Sequence, residues 1–407
     1  MTTPPNQTPR IPASIIMLGF VSLLMDTSSE LIHSLLPVFL TTALGASALT
    51  VGVIEGVAES TALIIKVFSG TLSDWLGRRK ELAVAGYGLA TLSKPLFALA
   101  ASADMVFTAR IIDRVGKGIR GAPRDAPVAD LAPPGLRGAA FGLRQSLDTI
   151  GAFLGPILAM VLMLMWADNF RAVFWVALVP AVLSVTLLIF GVHEPGDQRK
   201  APPSSPIHRA NLGRLPAIYW WVVAIGGVFT LARFSEAFLI LRAQQGGLPI
   251  AYVPLVLIVM NIVYSVTAYP FGKLADRISH ARLLTLGLLV LIMADLMLAY
   301  SNHWLWVWAG ISLWGLHMGM TQGLLATMVA DAAPADLRGS AFGFFNLVSG
   351  LTMILASGLA GLLWDQFGAS QTFIAGALFS AMALLAIALR KRMAASPQSL
   401  SDQHREK

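Results

Sequence analysis

Residues 70–80 read GTLSDWLGRRK, a short polar segment between two long apolar runs. A weaker copy, GKLADRISHAR, occupies residues 272–282, and it begins 202 residues later (272 − 70 = 202). A second pair of segments has nearly the same offset, because LRGAAFG at 136–142 returns as LRGSAFG at 337–343 (337 − 136 = 201). Two copies of so large a unit in a 407-residue chain predict a tandem duplication, which is typical of membrane proteins built from two related halves.

The composition is that of a chain that resides in a lipid bilayer. Hydrophobic residues make up 56% of it and charged residues only 13%, against about 25% charged residues in soluble domains. The net charge is +7, but lysine and arginine concentrate in short segments between apolar runs, as in cytoplasmic loops of membrane proteins. We therefore expect lipid around the chain and no nucleic acid bound to it. Cysteine is absent, which excludes disulfides and thiolate metal sites.

Apolar runs of spanning length recur along the whole chain. A spanning helix needs about 20 mostly apolar residues. Twelve segments qualify, and the fourth is the most polar of them: 14–40, 49–73, 82–101, 104–130, 139–165, 171–191, 216–241, 249–273, 283–300, 303–330, 340–363 and 370–390. The predicted fold is an all-α membrane protein with 12 transmembrane helices in two pseudo-symmetric six-helix bundles. The predicted N-terminal bundle covers residues 1–192 and the C-terminal bundle residues 217–390. A linker rich in proline, serine and charge at 193–216 joins them, and a tail follows at 391–407.

The distribution of lysine and arginine predicts the orientation. With the N-terminus inside, the outer segments hold only Arg171 and Arg242. The inner segments then hold Arg10, Arg78, Arg79, Lys80, Arg137, Arg199, Lys200, Arg209, Arg214, Lys273, Arg277, Arg282, Arg338, Arg390, Lys391 and Arg392. Because positive charge accumulates in cytoplasmic loops, we expect both termini in the cytoplasm of a plasma membrane, such as the bacterial inner membrane. Asp26 and Glu30 make the first apolar run a poor signal-peptide core, so we expect it to remain as a span.

Several spans carry charges deep inside their apolar runs. An ionised side chain at the bilayer centre costs about 2.5–3.5 kcal/mol on insertion scales, so these groups must face a shared interior. Asp26, Glu30 and His33 are four and three residues apart and therefore share one helix face. The candidates for a proton-coupling and substrate cavity are Asp26, Glu30, His33, Glu55, Glu59, Lys94, Arg110, Asp113, Arg114, Lys117, Arg233 and Glu236. The alternative interpretation is a set of ion pairs that hold the N-terminal bundle together.

Some members of this set are better candidates than others, and the two halves differ. The strongest candidates are Asp26, Glu30, Glu55, Arg110 and Arg114, because a carboxylate at mid-depth can load and release a proton beside a fixed arginine charge. Residues near the inner ends of spans, such as Arg120, Arg124 and Asp130, are more typical of structural pairs or snorkelling. The second half is sparser, and outside the candidate set it offers only Asp295, His317 and Gln322.

The polar segment at 70–80 resembles the first loop motif of the major facilitator superfamily, Gly-x-Leu-x-Asp-Arg-x-Gly-Arg-Arg/Lys. The matching residues are Gly70, Leu72, Asp74, Gly77, Arg78 and Arg79, with Trp75 where arginine is usual. The second copy keeps Gly272, Leu274, Asp276 and Arg277. The resemblance implies a monomeric secondary transporter whose bundles rock about a mid-membrane site. It also implies a cytoplasmic gate that comprises Gly70, Asp74, Gly77, Arg78, Gly272, Asp276 and Arg277.

In that family, the aspartate of the motif meets the N-terminal end of a helix from the other half, where the helix dipole favours an anion. The resemblance therefore places Asp74 near Ser340 and Asp276 near Ala139. Simple anchoring of the topology by positive charge is the alternative. Span five also resembles the antiporter motif of drug–proton exporters through Gly151, Gly155 and Pro156, although Ala159 and Met160 replace its trailing glycines. Glycines four apart permit close helix contact, and proline bends the helix.

The predicted function is proton-coupled export of a small organic solute by alternating access. Protons are the only coupling ion that we expect, with no cofactor and no metal. The alternative within the same class is proton-coupled uptake of a small organic anion or chelator, drawn by Arg110, Arg114 and Lys117. The sequence contains no His-Glu-x-x-His, Gly-x-Ser-x-Gly or Gly-x4-Gly-Lys-Ser/Thr motif, so we do not expect an enzyme. A membrane sensor that does not transport is the alternative from a different class.

Overall fold

The computed structural model describes residues 11–76, 78–133, 136–192, 212–275, 277–301, 303–334 and 337–403, without the side chains of residues 71, 74, 129, 137 and 390–403. The described residues form helices and contain no strand. The helices are α1 (Ala13–His33), α2 (Ala48–Leu76), α3 (Arg79–Leu99), α4 (Ala103–Leu131), α5 (Arg137–Met165), α6 (Phe170–Gly191), α7 (Ala217–Ala232), α8 (Ala237–Gln245), α9 (Leu255–Ala275), α10 (His280–Tyr300), α11 (Trp304–Ala332), α12 (Arg338–Phe367) and α13 (Ala369–Gln403). Short helical turns occupy Leu36–Val38, Phe39–Ala43 and Ile250–Tyr252.

Ten helical segments among the described residues are long and apolar enough to cross a membrane. Two of the twelve predicted spans, which correspond to α4 and α11, are not among these ten. The charges of α4 lower its apolar content, in keeping with its place as the most polar of the predicted spans. α11 contains four tryptophans and four glycines, which contribute little to mean hydropathy despite the helix length of 29 residues. All twelve predicted spans are therefore long enough to cross a membrane, but α4 and α11 are less apolar than the other ten.

The first span of each half, predicted at 14–40 and 216–241, is present but contains a break in the helix. α1 ends at His33, and after a short break the chain continues in the turns at Leu36–Val38 and Phe39–Ala43. In the second half, α7 ends at Ala232 and α8 begins at Ala237. Ser235 Oγ accepts a hydrogen bond from Ala237 N at 3.2 Å, so a side chain replaces a helical carbonyl as the local acceptor there.

The described residues pack into two compact units. The first contains residues 11–39, 61–192 and 250–255, and the second contains 40–60, 212–249 and 256–403. The first part of α2 thus groups with the second unit. The predicted linker at 193–216 lies almost entirely outside the described residues, and the domain boundaries stay a prediction. The last helix continues to Gln403, beyond the end that the apolar run suggested at 390.

Each unit has a hydrophobic core of its own. In the first unit, Ile15 and Val21 of α1 pack with Tyr87 of α3 and Leu188 of α6, all nearly inaccessible to solvent. In the second unit, the core joins α7, α10, α11 and α13, and it includes Phe229, Leu284, Leu324 and Ala383. These cores fix the helices that carry the charged side chains described below.

Candidate functional site

The buried charges of the first unit form two groups, and the first group centres on an ion pair between α3 and α4. Lys94 Nζ lies 2.7 Å from Asp113 Oδ1 and donates a second hydrogen bond to Ser29 Oγ of α1 at 3.0 Å. The side chains of Lys94 and Asp113 are 1% and 4% exposed. Arg114 Nε lies 3.9 Å from the other carboxylate oxygen of Asp113. Three helices, α1, α3 and α4, therefore contribute to this buried ion pair and its hydrogen bonds.

A second contact links the end of α1 to α4. Arg110 Nη2 lies 2.6 Å from His33 Nδ1, and both side chains are buried. A guanidinium group only donates hydrogen bonds, so His33 Nδ1 acts as the acceptor and the ring proton sits on Nε2. His33 is the last residue of α1, directly before the helix break. We call Ser29, His33, Lys94, Arg110, Asp113 and Arg114 the Lys94 cluster.

The second group of buried charges lies about two helical turns from the first, toward the start of α1 and the end of α4. Its positive and negative side chains alternate. Arg144 Nη1 lies 2.7 Å from Asp148 Oδ2 and 3.5 Å from Asp125 Oδ1, and Arg124 Nη1 lies 3.6 Å from Asp148 Oδ1. Arg120 Nη2 lies 3.6 Å from Asp26 Oδ1. Three arginines thus face three carboxylates. We call this group, with its neighbours Ser22 and Tyr87, the Asp148 cluster.

Hydrogen bonds and an aromatic contact tie the Asp148 cluster to α1 and α3. Arg124 Nη1 donates to Ser22 Oγ at 3.2 Å, and Ser22 Oγ lies 3.4 Å from Tyr87 Oη. The guanidinium of Arg120 stacks over the ring of Tyr87 at 4.6 Å from its centroid, a cation–π contact. This electrically balanced group has the character of a structural brace, which fits the structural interpretation of Arg120 and Arg124 from their positions near a span end.

The structure separates the predicted site residues of the first half. It brings His33, Lys94, Arg110, Asp113 and Arg114 together in the Lys94 cluster. Asp26, predicted as one of the best cavity members, instead belongs to the Asp148 cluster through Arg120. Glu30 is half-buried and Lys117 is exposed, although Lys117 shares the helix arc of Arg110 and Arg114.

The remaining charged candidates lie in the second unit. Glu55 is fully buried and Glu59 half-buried, both on the part of α2 that groups with this unit. At the break between α7 and α8, Arg233 Nη2 lies 3.9 Å from Glu236 Oε1 and 3.5 Å from Gln322 Oε1. Broken helices in transporters place free backbone groups and polar side chains at mid-membrane depth, which makes this break a second candidate region.

Sequence reasoning missed four residues of these groups, namely Ser22, Ser29, Tyr87 and Asp125. Ser29 received no role, although it precedes Glu30 and Ser235 precedes Glu236 in the other half, and that repeat was its signal. Asp125 follows Arg124 in the most polar span and could have been read as a partner of a neighbouring arginine. Tyr87 had no signal, because a tyrosine in an apolar run resembles an ordinary core residue.

The predicted cytoplasmic gate is only partly described. The structure does not describe Gly77, Asp276 or the side chain of Asp74. Gly70 has room for a Cβ, which would lie 3.5 Å from Ala122 Cβ, and Gly272 and Arg277 lie on the surface. Arg78 pairs with Glu81 at 3.2 Å in an exposed i,i+3 contact. The gating role of this motif stays a prediction.

The antiporter-like motif lies in a tight helix contact within the first unit. Gly151 of α5 lies against the backbone of Leu23 in α1, and a Cβ on Gly155 would come within 2.8 Å of Thr27 O and Glu30 Cβ. Pro156 is buried within α5. The two glycines therefore let α1 and α5 approach closely on the side of α1 that carries Glu30.

A carboxylate caps the start of α2 within the second unit. Asp365 Oδ1 accepts from Ala48 N at 2.9 Å, and Asp365 Oδ2 accepts from Leu49 N at 2.8 Å. A helix N-terminus has free N–H groups and a partial positive charge, so an anion there is stabilised. Glycines on both helices extend this contact, because Gly56 lies against Met353 O and Gly361 against Ala48 O. The sequence did not reveal it, since Asp365 lies far from α2 in the chain.

The Lys94 cluster combines groups that can respond to a proton. Asp113 is held by two cations, and a change in its protonation would release Lys94 and Arg114 to other partners. Removing one partner from a buried ion pair leaves an uncompensated charge, which costs about 3–5 kcal/mol. A proton or an ionic solute that binds here therefore forces rearrangement. None of the described residues forms a group of histidine, cysteine and carboxylate side chains that could hold a metal ion.

Comparison with known proteins identifies the fold and family. The family model of the Major Facilitator Superfamily matches residues 18–357 and 247–405. The MFS-type transporter MJ1317 of Methanocaldococcus jannaschii is 33% identical over 386 residues, which cover 92% of this chain and 94% of that protein. The inner membrane transport protein YajR of Escherichia coli is 24% identical over 362 residues, 83% of this chain and 74% of that protein.

A solved structure agrees with these relatives. The nucleoside transporter NupG, in the crystal structure of a point mutant, superposes with a TM-score of 0.79 over 92% of this chain and 99% of that chain, at 13% sequence identity. A likeness at so low an identity shows the fold alone. The predicted fold class and the resemblance to the superfamily are thus confirmed, as is the prediction that the protein is not an enzyme. This chain belongs to the Major Facilitator Superfamily and is an integral, multi-pass membrane transporter.

Proposed function

We propose that this transporter is a proton-coupled secondary active transporter that exports a small organic solute by alternating access. The observation that carries the proposal is the Lys94 cluster, in which a buried carboxylate is shared between Lys94 and Arg114. An intramembrane ionisable group that faces the protein interior is a functional site by default, because its cost in a bilayer must be offset. The proposed coupling ion is the proton, with no cofactor.

The proposed roles follow from the contacts. Asp113 takes up the proton, and its neutralisation frees Lys94 and Arg114 to contact solute or other carboxylates. His33 and Arg110 lie next to the break after α1, so their hydrogen bond joins the cluster to the irregular part of the first span. Among the other candidates, Glu30 would relay protons in the first unit, and Glu55, Arg233 and Glu236 are the charged candidates of the second unit.

Two observations bear on direction. The tight α1–α5 contact at Gly151 and Gly155 resembles the antiporter motif of drug–proton exporters, and this favours export. The buried guanidinium groups of Arg110 and Arg114 favour the second candidate, uptake of a small organic anion or chelator. We further propose a bacterial-type inner membrane location, cytoplasmic termini and a monomer as the working form.

The test compares metabolites inside cells and in their medium by untargeted mass spectrometry. The comparison uses the wild type and the double variant Lys94→Met, Asp113→Leu at equal membrane levels, with Asp104→Asn as a matched control at an exposed aspartate on α4. Replacing both partners of a buried pair by apolar residues is often neutral for folding, so a loss of function would report on the site.

Each result has a defined meaning. A compound depleted in wild-type cells and enriched in their medium, but not with the double variant, supports export. A compound that accumulates inside wild-type cells supports uptake and overturns the proposed direction. Identical profiles for wild type, control and double variant would contradict a transport role of the Lys94 cluster. No difference from cells that lack the protein would favour a sensor.

A further inference from the structure

A second buried carboxyl group lies in the other unit, outside both clusters described above. Asp295 of α10 has no exposed surface, and neither of its carboxyl oxygens has a hydrogen-bond partner among the described residues. A buried carboxylate without a cation or donor is strongly disfavoured, whereas a neutral carboxylic acid is tolerated at much lower cost. The surroundings of Asp295 therefore favour a carboxyl group that carries a proton.

The walls around Asp295 leave room for this group and shield it. A Cβ on Gly376 of α13 would lie 2.7 Å from Asp295 Oδ2 and 3.1 Å from the ring of Phe234, so both approach the same point. Phe234 in turn contacts Trp314 and Phe373, with ring centroids 5.4 Å and 5.6 Å apart. The carboxyl group thus faces a glycine and an aromatic wall.

The helices packed against α10 supply no counter-charge at this level. α10 packs on α11 and α13, and residues 369–389 of α13 contain no charged side chain. On α11, Asp331 lies near the far end, and His317 Nδ1 bonds to Gly287 O at 2.9 Å. Gly287 precedes Asp295 by eight residues, which is about 12 Å along a helix.

Two further cations lie close in the fold, and each has other partners. Arg242 of α8 donates to Leu298 O and Ser301 O at the end of α10, at 2.8 Å and 3.0 Å. Arg233 lies with Glu236 at the break between α7 and α8. Neither arginine forms an ion pair with Asp295 among the described contacts.

Phe234 lies at the break between α7 and α8, beside two partly exposed charged side chains. Phe234 is itself buried, but it stands in the non-helical segment between Arg233 and Glu236, whose side chains are 20% and 29% exposed. A ring on an irregular segment can move without breaking a helical hydrogen-bond ladder. A movement of Phe234 would bring the carboxyl group next to these partly exposed polar groups.

We propose that Asp295 is a proton-binding site of the second unit and that Phe234 at the α7–α8 break controls its exchange with water. The reaction is a simple protonation, in which the carboxylate and a proton form the carboxylic acid. The site lies in a different unit from the Lys94 cluster. Its use in coupling rests on the proposed function, whereas its protonation does not.

The test is the infrared difference spectrum between the wild type and Asp295→Asn, each measured as the purified full-length protein in lipid at neutral pH. We expect the carbonyl stretch of a protonated carboxyl group in the wild type, and we expect Asp295→Asn to lose it. The matched control is Asp365→Asn, because Asp365 accepts two backbone hydrogen bonds and should be ionised. A band that persists in Asp295→Asn would overturn the proposal. A wild-type band that appears only when sodium is removed would also overturn it, because the group would then bind a metal cation and not a proton.

A second measurement needs no substitution at Asp295. Isotope-labelled aspartate in the wild type must shift the same band, and an unshifted band would overturn the proposal even if Asp295→Asn fails to fold. Phe234→Ala should speed the deuterium exchange of that band several-fold. An unchanged rate would contradict the role of Phe234. Because these readouts need no substrate, they separate this inference from the transport experiments above.

Discussion

At the residue scale, the first unit uses two kinds of buried charge. The Asp148 cluster balances three arginines against three carboxylates and adds a cation–π contact, as expected of a brace. The Lys94 cluster instead places Lys94 and Arg114 beside the carboxylate of Asp113. Protonation of Asp113 would weaken both of these contacts, whereas in the Asp148 cluster Arg124 and Arg144 each contact two carboxylates, Asp125 and Asp148.

The ion pair between Lys94 and Asp113 predicts a strongly non-additive double-mutant cycle. Lys94→Met and Asp113→Leu should each lower the free energy of unfolding by about 3–5 kcal/mol, because each removes one partner of a buried ion pair. The double variant should be more stable than either single variant. Thermal or denaturant unfolding in detergent measures this. Two single effects that simply add in the double variant would contradict a direct pair.

Arg114 predicts a separate functional effect. Arg114→Ala should reduce coupled transport at least about 10-fold, because loss of one partner of a buried ion contact costs about 3–5 kcal/mol and a tenfold rate change corresponds to about 1.4 kcal/mol. The protein should still reach the membrane. The measurement is the flux of the identified solute as a function of the imposed pH gradient. Wild-type flux with an intact pH response would remove Arg114 from the mechanism and leave Arg110 as the candidate.

At the scale of elements, glycine contacts decide how closely helices approach. Gly155 lets α5 lie against α1 beside Glu30, and Gly56 and Gly361 line the contact between α2 and α12. Asp365 adds a cap to the start of α2 at the same contact. These contacts involve backbone atoms, so no side-chain rearrangement can absorb a larger residue there.

The α1–α5 contact predicts opposite effects for two glycines of one helix. A Cβ on Gly155 would come within 2.8 Å of Thr27 O and Leu31 N, whereas Gly142 has nothing within 4 Å. Gly155→Ala should lower the free energy of unfolding by about 1–3 kcal/mol through overpacking. Gly142→Ala should leave it unchanged or raise it by up to about 1 kcal/mol. Equal effects in unfolding experiments would refute the close contact.

At the scale of the whole molecule, the topology is directly testable because the chain has no cysteine. Ser102→Cys should react with a membrane-impermeant maleimide in intact cells, since the lysine and arginine pattern places residue 102 outside. Glu81→Cys should react only after the membrane is permeabilised. Both residues are exposed, so access to reagent depends on the side of the membrane. The reverse labelling pattern would invert the proposed orientation.

The sequence predicted the membrane class, the duplication and the superfamily, because long apolar runs and loop motifs are local signals. It also placed Lys94, Asp113 and Arg114 among the candidates, since each lies inside a span. It placed Asp26 on one face with Glu30 and His33 but did not indicate its contact with Arg120, because helix spacing gives the shared face and not the partner on another helix. The breaks after His33 and Ala232 escaped prediction, because apolar residues on both sides extend each segment to spanning length.

In the proposed mechanism, solute movement is coupled to protons through the Lys94 cluster. The most direct measurement uses everted membrane vesicles that respire and hold an acidic lumen, with a fluorescent dye that reports the pH gradient. Adding the compound that wild-type cells export should collapse the gradient in wild-type vesicles. The collapse should be absent in vesicles with Lys94→Met, Asp113→Leu. A gradient that stays intact in wild-type vesicles while the compound enters, or one that collapses equally with the double variant, would contradict the claim.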